Sequence, residues 1–385
     1  MSGKRTIASD VTISVSDIRI PANLLPSDGR FGSGPAKVRN EAVADLAAGA
    51  ASLLGTSHRQ PPVKHLVRGV QEGLADLYGL PAGYEVLLGN GGATAFWDAA
   101  ALGLVERKSQ HLSFGVFSAK FAAVIAGVPH LEAPEVIVAE HGTHPLSVAS
   151  ADVDTYALTH NETSTGVCME IRRPDSAGLV VVDATSAAGA VRVDVRQFDV
   201  YYFSPQKAFG SDGGLWVALC SPAAIDRIER LASTDRYVPS FLSLRLALEN
   251  SRQFQTYNTP ALATIFLLHH QIDWMRTAGG LEWAASRCDR NASVLYEWAD
   301  RSDFAFPFVG EPIERSPVTA TIDFDPSVPA SAVASVLRAN GMVDTESYRK
   351  LGRNQLRIGL WPAIEAGDVE ALTRSIDYVV GRLGS

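Results

Sequence analysis

Apolar positions along this chain follow two rhythms. The first is the short unbroken run: Val86-Leu-Leu88, Thr155-Tyr-Ala-Leu-Thr159, Leu179-Val-Val-Val182, Val200-Tyr-Tyr-Phe203 and Leu215-Trp-Val-Ala-Leu-Cys220. β-Branched and aromatic residues without polar alternation predict strands buried on both faces. The second rhythm places an apolar residue every third or fourth position. Val63, Leu66, Val70, Leu74 and Leu77, with Glu72 and Asp76 facing outward, predict a helix over 62–80 that stops near Gly79 and Pro81. Further helices are predicted over 40–54, from the Ala-rich stretch after Gly92 to about Leu104, over 222–232 with Ile225 and Ile228 inward, and over 261–274. Strand and helix alternate with no repeat unit and no low-complexity tract. That order predicts an α/β fold, a mainly parallel sheet flanked by helices.

Gly279-Gly280 interrupts the pattern, and the remainder of the chain alternates differently: helix 282–299, strand 318–324, helix 329–340, strand 355–359, helix 366–383. Three parts are expected: an N-terminal segment 1–30, a large domain 31–279 and a smaller C-terminal α/β domain 280–385. The stretch 133–151 is expected to be a surface loop, with His141 and His144 among polar residues and no third ligand nearby to make a metal site.

A chain of 385 residues, 46% hydrophobic and 20% charged, can bury one large core and a smaller one. A net charge of −8 with scattered basic residues argues against a nucleic-acid surface. Lys4 and Arg5 are followed by no apolar stretch, and no run reaches the length of a membrane span, so neither a secretory leader nor a membrane anchor is expected. Cys168, Cys220 and Cys288 lie far apart, which suits a reducing, cytoplasmic setting.

Chemistry concentrates around Lys207. The run ending at Phe203 meets Ser204-Pro205, and proline cannot donate to a ladder, so Gln206 and Lys207 are predicted in a loop just past a strand end. A lysine between two buried strands is short of water, which lowers its pKa toward the range of a nucleophile. Asp183 ends the run Leu179–Val182, and a buried parallel strand delivers its last residue to the sheet edge where ligands bind. Gly89-Asn-Gly-Gly-Ala-Thr94 joins a short strand to a helix, a setting for an anion on backbone N–H groups. Lysine, acid and anion turn together suit pyridoxal phosphate, whose aldehyde needs an amine and whose ring nitrogen needs an acid. Taken singly, each has a plainer reading: a solvated loop lysine, a helix N-cap, or a turn that holds a nucleotide.

Seven motifs in order extend the pattern: Phe31-Gly-Ser-Gly-Pro35, Ser57-His-Arg59, Gly91-Gly-Ala-Thr94, Asn161-Glu-Thr163, Asp183-Ala-Thr185, Ser204-Pro-Gln-Lys207 and Tyr257-Asn-Thr-Pro260. With them the chain resembles the phosphoserine aminotransferases, fold-type I pyridoxal-phosphate enzymes, from about Phe31 to its C-terminus. The resemblance implies that Lys207 carries the cofactor and Asp183 faces its ring nitrogen. It also implies that Phe117 stacks on the ring, that Thr163 meets the ring hydroxyl, and that Ala93, Thr94 and Gln206 complete the cradle. It implies a homodimer with shared active sites, in which Asn258 and Thr259 reach the partner's cofactor phosphate and His58 and Arg59 reach the partner's substrate. Arg357 matches the arginine that holds the substrate α-carboxylate, and Arg349 one that holds its phosphate. Many members have Trp at the position of Phe117 and His at that of Tyr348, and the segment between Arg349 and Arg357, which includes Arg353, is longer here. The implied reaction is amino transfer from L-glutamate to the phosphorylated 2-oxo acid 3-phosphohydroxypyruvate, giving O-phospho-L-serine and 2-oxoglutarate. An intermediate of pyridoxine biosynthesis is a second possible acceptor. Another aminotransferase or a desulfurase of the same fold, a nicotinamide-dependent dehydrogenase, and a non-catalytic binding protein remain open on sequence alone.

Overall fold

The computed structural model describes residues 18–383, so the reading of Lys4 and Arg5 lies outside the described residues. Seven strands form the principal sheet: β1 (Glu85–Asn90), β2 (Ser109–Ser113), β3 (Glu135–Val138), β4 (Thr155–Thr159), β7 (Leu179–Asp183), β8 (Val200–Phe203) and β9 (Leu215–Cys220). A short hairpin, β5 (Asn161–Glu162) and β6 (Val167–Cys168), stands beside it. The strand order is β1-β9-β8-β7-β4-β2-β3, and every strand runs the same way except β9, which pairs antiparallel with both β1 and β8. The reversal follows from chain length. A parallel return needs a crossover of a dozen or more residues, usually a helix, and the helix-free segment 204–214 is too short for one.

Each central strand feeds two cores. On β7, Val180 and Val182 enter the cluster formed with α2 (Pro61–Tyr78) and α7 (Leu262–Ala278). Leu179 and Val181 enter the opposite cluster, with α3 (Gly92–Gly103), α4 (Val116–Ala126), α5 (Pro222–Ala232) and α6 (Leu244–Ser251). This two-residue alternation explains the unbroken apolar runs, since both faces are covered. The helix α1 (Asn40–Leu53) buries only Ala42.

A third core lies around the antiparallel sheet β10 (Ala305–Pro307), β11 (Thr319–Phe324) and β12 (Gln355–Gly359), with α8 (Gly280–Arg301), α9 (Ala330–Ala339) and α10 (Ala366–Leu383). Ile18, Ile20 and Phe31 from the start of the described chain join this core. There Phe31 N–H donates to Val343 O (3.3 Å) and Gly359 N–H donates to Phe31 O (2.7 Å). α7 runs to Ala278, and α8 begins at Gly280, with Gly279 and Gly280 both at positive φ (+126° and +75°).

One expectation is corrected. The stretch 133–151 is not all loop, because Glu135–Val138 adds β3 to the sheet edge beside β2. Val136-Ile-Val138 is a short apolar run between Pro134 and a polar stretch, and at the sheet edge Val136 and Val138 face solvent. Among the described residues no three His, Cys, Asp or Glu side chains gather as a metal site, and no helix is long and apolar enough to cross a membrane.

Candidate active site

A cavity of about 420 Å³ opens beyond the ends of β4, β7 and β8, lined there by Thr159, Asp183 and Ser204. The β8–β9 loop brings Gln206 and Lys207 into it, and the first turn of α3 brings Ala93 and Thr94. Proline at 205 ends β8, and β9 resumes the ladder at Leu215, so the lysine loop is anchored at both ends in the middle of the sheet.

Lys207 Nζ donates to Thr163 Oγ1 (3.4 Å) and lies 5.5 Å from the centre of the Phe117 ring. Its pKa is pushed down from 10.5 to about 8, chiefly because burial penalises the ammonium. The carboxylates of Asp183 and then Glu162 oppose this, while Arg357 adds to it. The stem of Lys207 also packs on Gly34, where an added Cβ would stand 2.7 Å from Cε.

Asp183 is buried at the strand end. Its Oδ1 accepts from Thr185 N–H (2.9 Å) and its Oδ2 from Trp97 Nε1 (3.3 Å). Trp97 lies three residues after Thr94 on α3, so both face the cavity from one side of the helix. Phe117 is set by Glu162. One oxygen of that buried carboxylate accepts from the N–H of Phe117 (2.9 Å) and of Ser118 (3.0 Å) in the first turn of α4, and the other accepts from Ser164 Oγ (2.7 Å). A carboxylate at a helix N-terminus satisfies donors that the helix leaves free.

The residues fit pyridoxal phosphate. Ser33 Oγ, Asn161 Oδ1, Thr185 Oγ1, Gln206 Oε1 and Arg357 Nε are buried without a hydrogen-bond partner, and all belong to residues that line this cavity. Unpartnered buried polar atoms are uncommon, and their gathering around one space marks the place of a polar ligand. The first turn of α3, entered through Gly91 and Gly92 at φ +111° and +76°, leaves backbone N–H groups for a phosphate. Asp183 suits a protonated ring nitrogen, Lys207 an aldehyde, and Phe117 the face of a ring.

Arg357, on β12, reaches the same cavity from the third core. Its Nη1 donates to Thr163 O (3.2 Å), its guanidinium lies 5.1 Å from the Tyr348 ring centre, and burial lowers its pKa. The remaining named residues stand elsewhere. His58, Arg59 and Thr259 line a separate surface cavity of about 560 Å³, where Thr259 Oγ1 is 3.4 Å from His58 Nδ1 and His58 Nε2 is buried without a partner. Asn258 is held by Asn90, whose Nδ2 donates to Asn258 Oδ1 (2.7 Å). Arg349 is exposed and does not line the main cavity, and Arg353 is committed to Asp323 while lying 4.3 Å from the Phe308 ring centre. Sequence reasoning gave no role to Trp97, Tyr202 or Glu162. The i, i+3 step from Thr94 would have pointed to Trp97 and the period of two along β8 to Tyr202, whereas no local pattern reveals the link from Glu162 to Phe117.

A lysine of lowered pKa just past a strand end, faced by a carboxylate and a helix N-terminus on this α/β sheet, fits the class of pyridoxal-phosphate enzymes. The chain belongs to the aminotransferase class-V family, whose model matches residues 37–347. It is 55% identical over 370 residues to the phosphoserine aminotransferase of Nocardioides sp., an alignment covering 95% of this chain and 99% of that one. Its fold matches the crystal structure of a phosphoserine aminotransferase from Cytophaga hutchinsonii with a TM-score of 0.84 at 24% identity, covering 91% of this chain and 99% of the other. A phosphoserine aminotransferase from Trichomonas vaginalis, solved with its pyridoxal phosphate bound, matches with a TM-score of 0.76 at 20% identity, covering 91% and 99%.

Proposed function

We propose that this chain is a phosphoserine transaminase of serine biosynthesis, moving the amino group of L-glutamate to 3-phosphohydroxypyruvate. The observation that carries the reading is Lys207, lowered to about 8 and set between Asp183 and Phe117 in a chain 55% identical to phosphoserine aminotransferases along nearly its whole length. Bound pyridoxal phosphate supplies a carbon that takes up the substrate amine and a ring that draws electrons from the substrate Cα. Asp183 would hold the proton on the ring nitrogen. Lys207 Nζ, partly neutral near pH 8, would take the proton from the substrate Cα and give it up to the cofactor carbon that bears the amino group, ending with no net gain. Phe117 would hold the ring plane, Thr163 would meet its hydroxyl, and the first turn of α3 with Ala93, Thr94 and Gln206 would hold the phosphate end.

Arg357 grips the substrate α-carboxylate as a planar fork, and desolvation strengthens that grip. The distal anion, a γ-carboxylate in one half-reaction and a phosphate in the other, is met by Arg349 and by His58 and Arg59 of a second copy, because those residues do not share the cavity of their own chain. Asn258 and Thr259 then face the second copy's cofactor phosphate. A homodimer is supported by α1, an Ala-rich helix with Val43 exposed, and by the neighbouring exposed Leu54 and Tyr257. The chain is read as a large unit, 31–279, and a smaller one, 280–385, with 18–30 packed on the smaller. Three unpaired cysteines support a cytoplasmic setting. The phosphorylated intermediate of pyridoxine synthesis is a second acceptor for the same anion grip.

The test is phosphoserine formation by purified protein supplied with pyridoxal phosphate, glutamate and 3-phosphohydroxypyruvate, followed by mass spectrometry. Lys207→Ala is expected to abolish it. Mixing Lys207→Ala with Arg59→Ala is expected to restore about a quarter of wild-type activity, since a random mixture yields half hybrids with one intact site each. Brisk turnover of a different acceptor with none of this one overturns the substrate assignment, and no recovery on mixing overturns the shared site.

A further inference from the structure

We propose that Trp97 and Tyr202 are positioning residues that aim the carboxylate of Asp183 at the cofactor ring nitrogen, a role that rests on the pyridoxal-phosphate reading above. The register of the sheet brings them together. Asp183 and Tyr202 are directly paired positions of the parallel strands β7 and β8, so their side chains leave the sheet on the same face, toward α3. Trp97 reaches down from α3, and its Nε1–H, which can only donate, lies 2.8 Å from Tyr202 Oη and 3.3 Å from Asp183 Oδ2.

Tyr202 Oη accepts from Trp97, which leaves its own hydrogen free to turn to the neighbouring carboxylate of Asp183, whose charge acts on the phenol. Tyr202 is fully buried and its pKa is raised well above 10, by burial first and by Asp183 second, so the phenol keeps its proton and serves as a donor throughout the working range. Aromatic packing removes the freedom to turn away. Phe96 stacks on Tyr202 with ring centres 4.3 Å apart, and Phe121 packs on both Trp97 (6.2 Å) and Tyr202 (6.0 Å). With Thr185 N–H on Oδ1 and Trp97 Nε1–H on Oδ2, both carboxylate oxygens are held from the protein side, and Asp183 lines the cavity.

Tyr202→Phe removes one hydroxyl and keeps the stacked ring, and Trp97→Phe/Tyr202→Phe removes both donors. The direct readout is the ¹⁵N chemical shift of pyridoxal phosphate labelled at its ring nitrogen and bound to each protein, with Asp183→Asn as the reference for full loss. Phe121→Leu, which loosens the packing and removes no polar group, is the control. The expected result is a shift toward the unprotonated position in Tyr202→Phe, further in the double variant, with Phe121→Leu displaced less than either donor variant and all proteins melting cooperatively. The half-reaction with glutamate is expected to slow about 10-fold in Tyr202→Phe, the loss of one hydrogen bond to a charged group. A wild-type shift in both donor variants, or an equal displacement in Phe121→Leu, overturns the proposal. A wild-type protein that gives no bound resonance at all overturns the cofactor reading instead.

Discussion

The pKa of Lys207 can be measured and its causes separated in the cofactor-free protein. Near pH 7.5 an amine lowered from 10.5 to about 8 is about one-quarter neutral, against about 0.1% for an ordinary lysine, a gain of roughly 200-fold in the reactive form. Reductive labelling with pyridoxal phosphate and borohydride, quantified at Lys207 by peptide mass spectrometry from about pH 6 to 11, should give a midpoint near 8. The contributions to the shift then predict an order. Removing the charge of Asp183, the largest influence opposing burial, in Asp183→Asn lowers the midpoint further. Removing the smaller opposite influence of Arg357 in Arg357→Gln raises it, by less. A wild-type midpoint above about 10, or a rise in Asp183→Asn, would refute the account of a lysine governed by desolvation and tuned by these two neighbours.

Three further outcomes are expected. Gly34→Ala places a Cβ 2.7 Å from Lys207 Cε at a residue with φ +135°, so cofactor affinity should fall by about 10-fold or more by fluorescence titration, the result of strain of about 1–3 kcal/mol at one residue. Glu162→Gln leaves either the N–H donors of the α4 start or the Ser164 N–H facing an amide nitrogen, and denaturant melts should show a loss of about 2–3 kcal/mol. His111 and His160 are held down to about 3 by burial, so below pH 6.5 the unfolded chain takes up two protons that the folded chain does not. Stability should therefore fall with decreasing pH by about 1.4 kcal/mol per unit for each histidine, and His160→Gln should remove about half of that combined slope.

The part of the fold made of fully covered strands was legible because two-sided burial leaves unbroken apolar runs, as in β7 and β8. β3 was passed over although Val136-Ile-Val138 is itself an apolar run, because it is short, follows Pro134 and leads into the polar stretch around His141 and His144. Lys207 and Asp183 could be found because each lies at or just past a strand end, and sheet edges collect what strands deliver. Trp97, Tyr202 and Glu162 meet Asp183, Asp183 and Phe117 from 86, 19 and 45 residues away, contacts that exist only once the sheet order is known. The sequence could name His58 and Arg59 only through resemblance, since in their own chain they stand away from the lysine.

The pairing of Phe31 with Val343 and Gly359 has a consequence for how the protein is made. Residues at the beginning of the chain wait for partners near its end, a delay of roughly 15 to 65 s at ordinary translation speeds. Through that interval Ile18, Ile20 and Phe31, all buried in the finished protein, have no core to enter. Arg357 also arrives in this last stretch, so the nascent chain holds its lysine and carboxylate long before it holds the arginine that closes the cavity. The lining of the cavity therefore stays incomplete until the chain is almost finished.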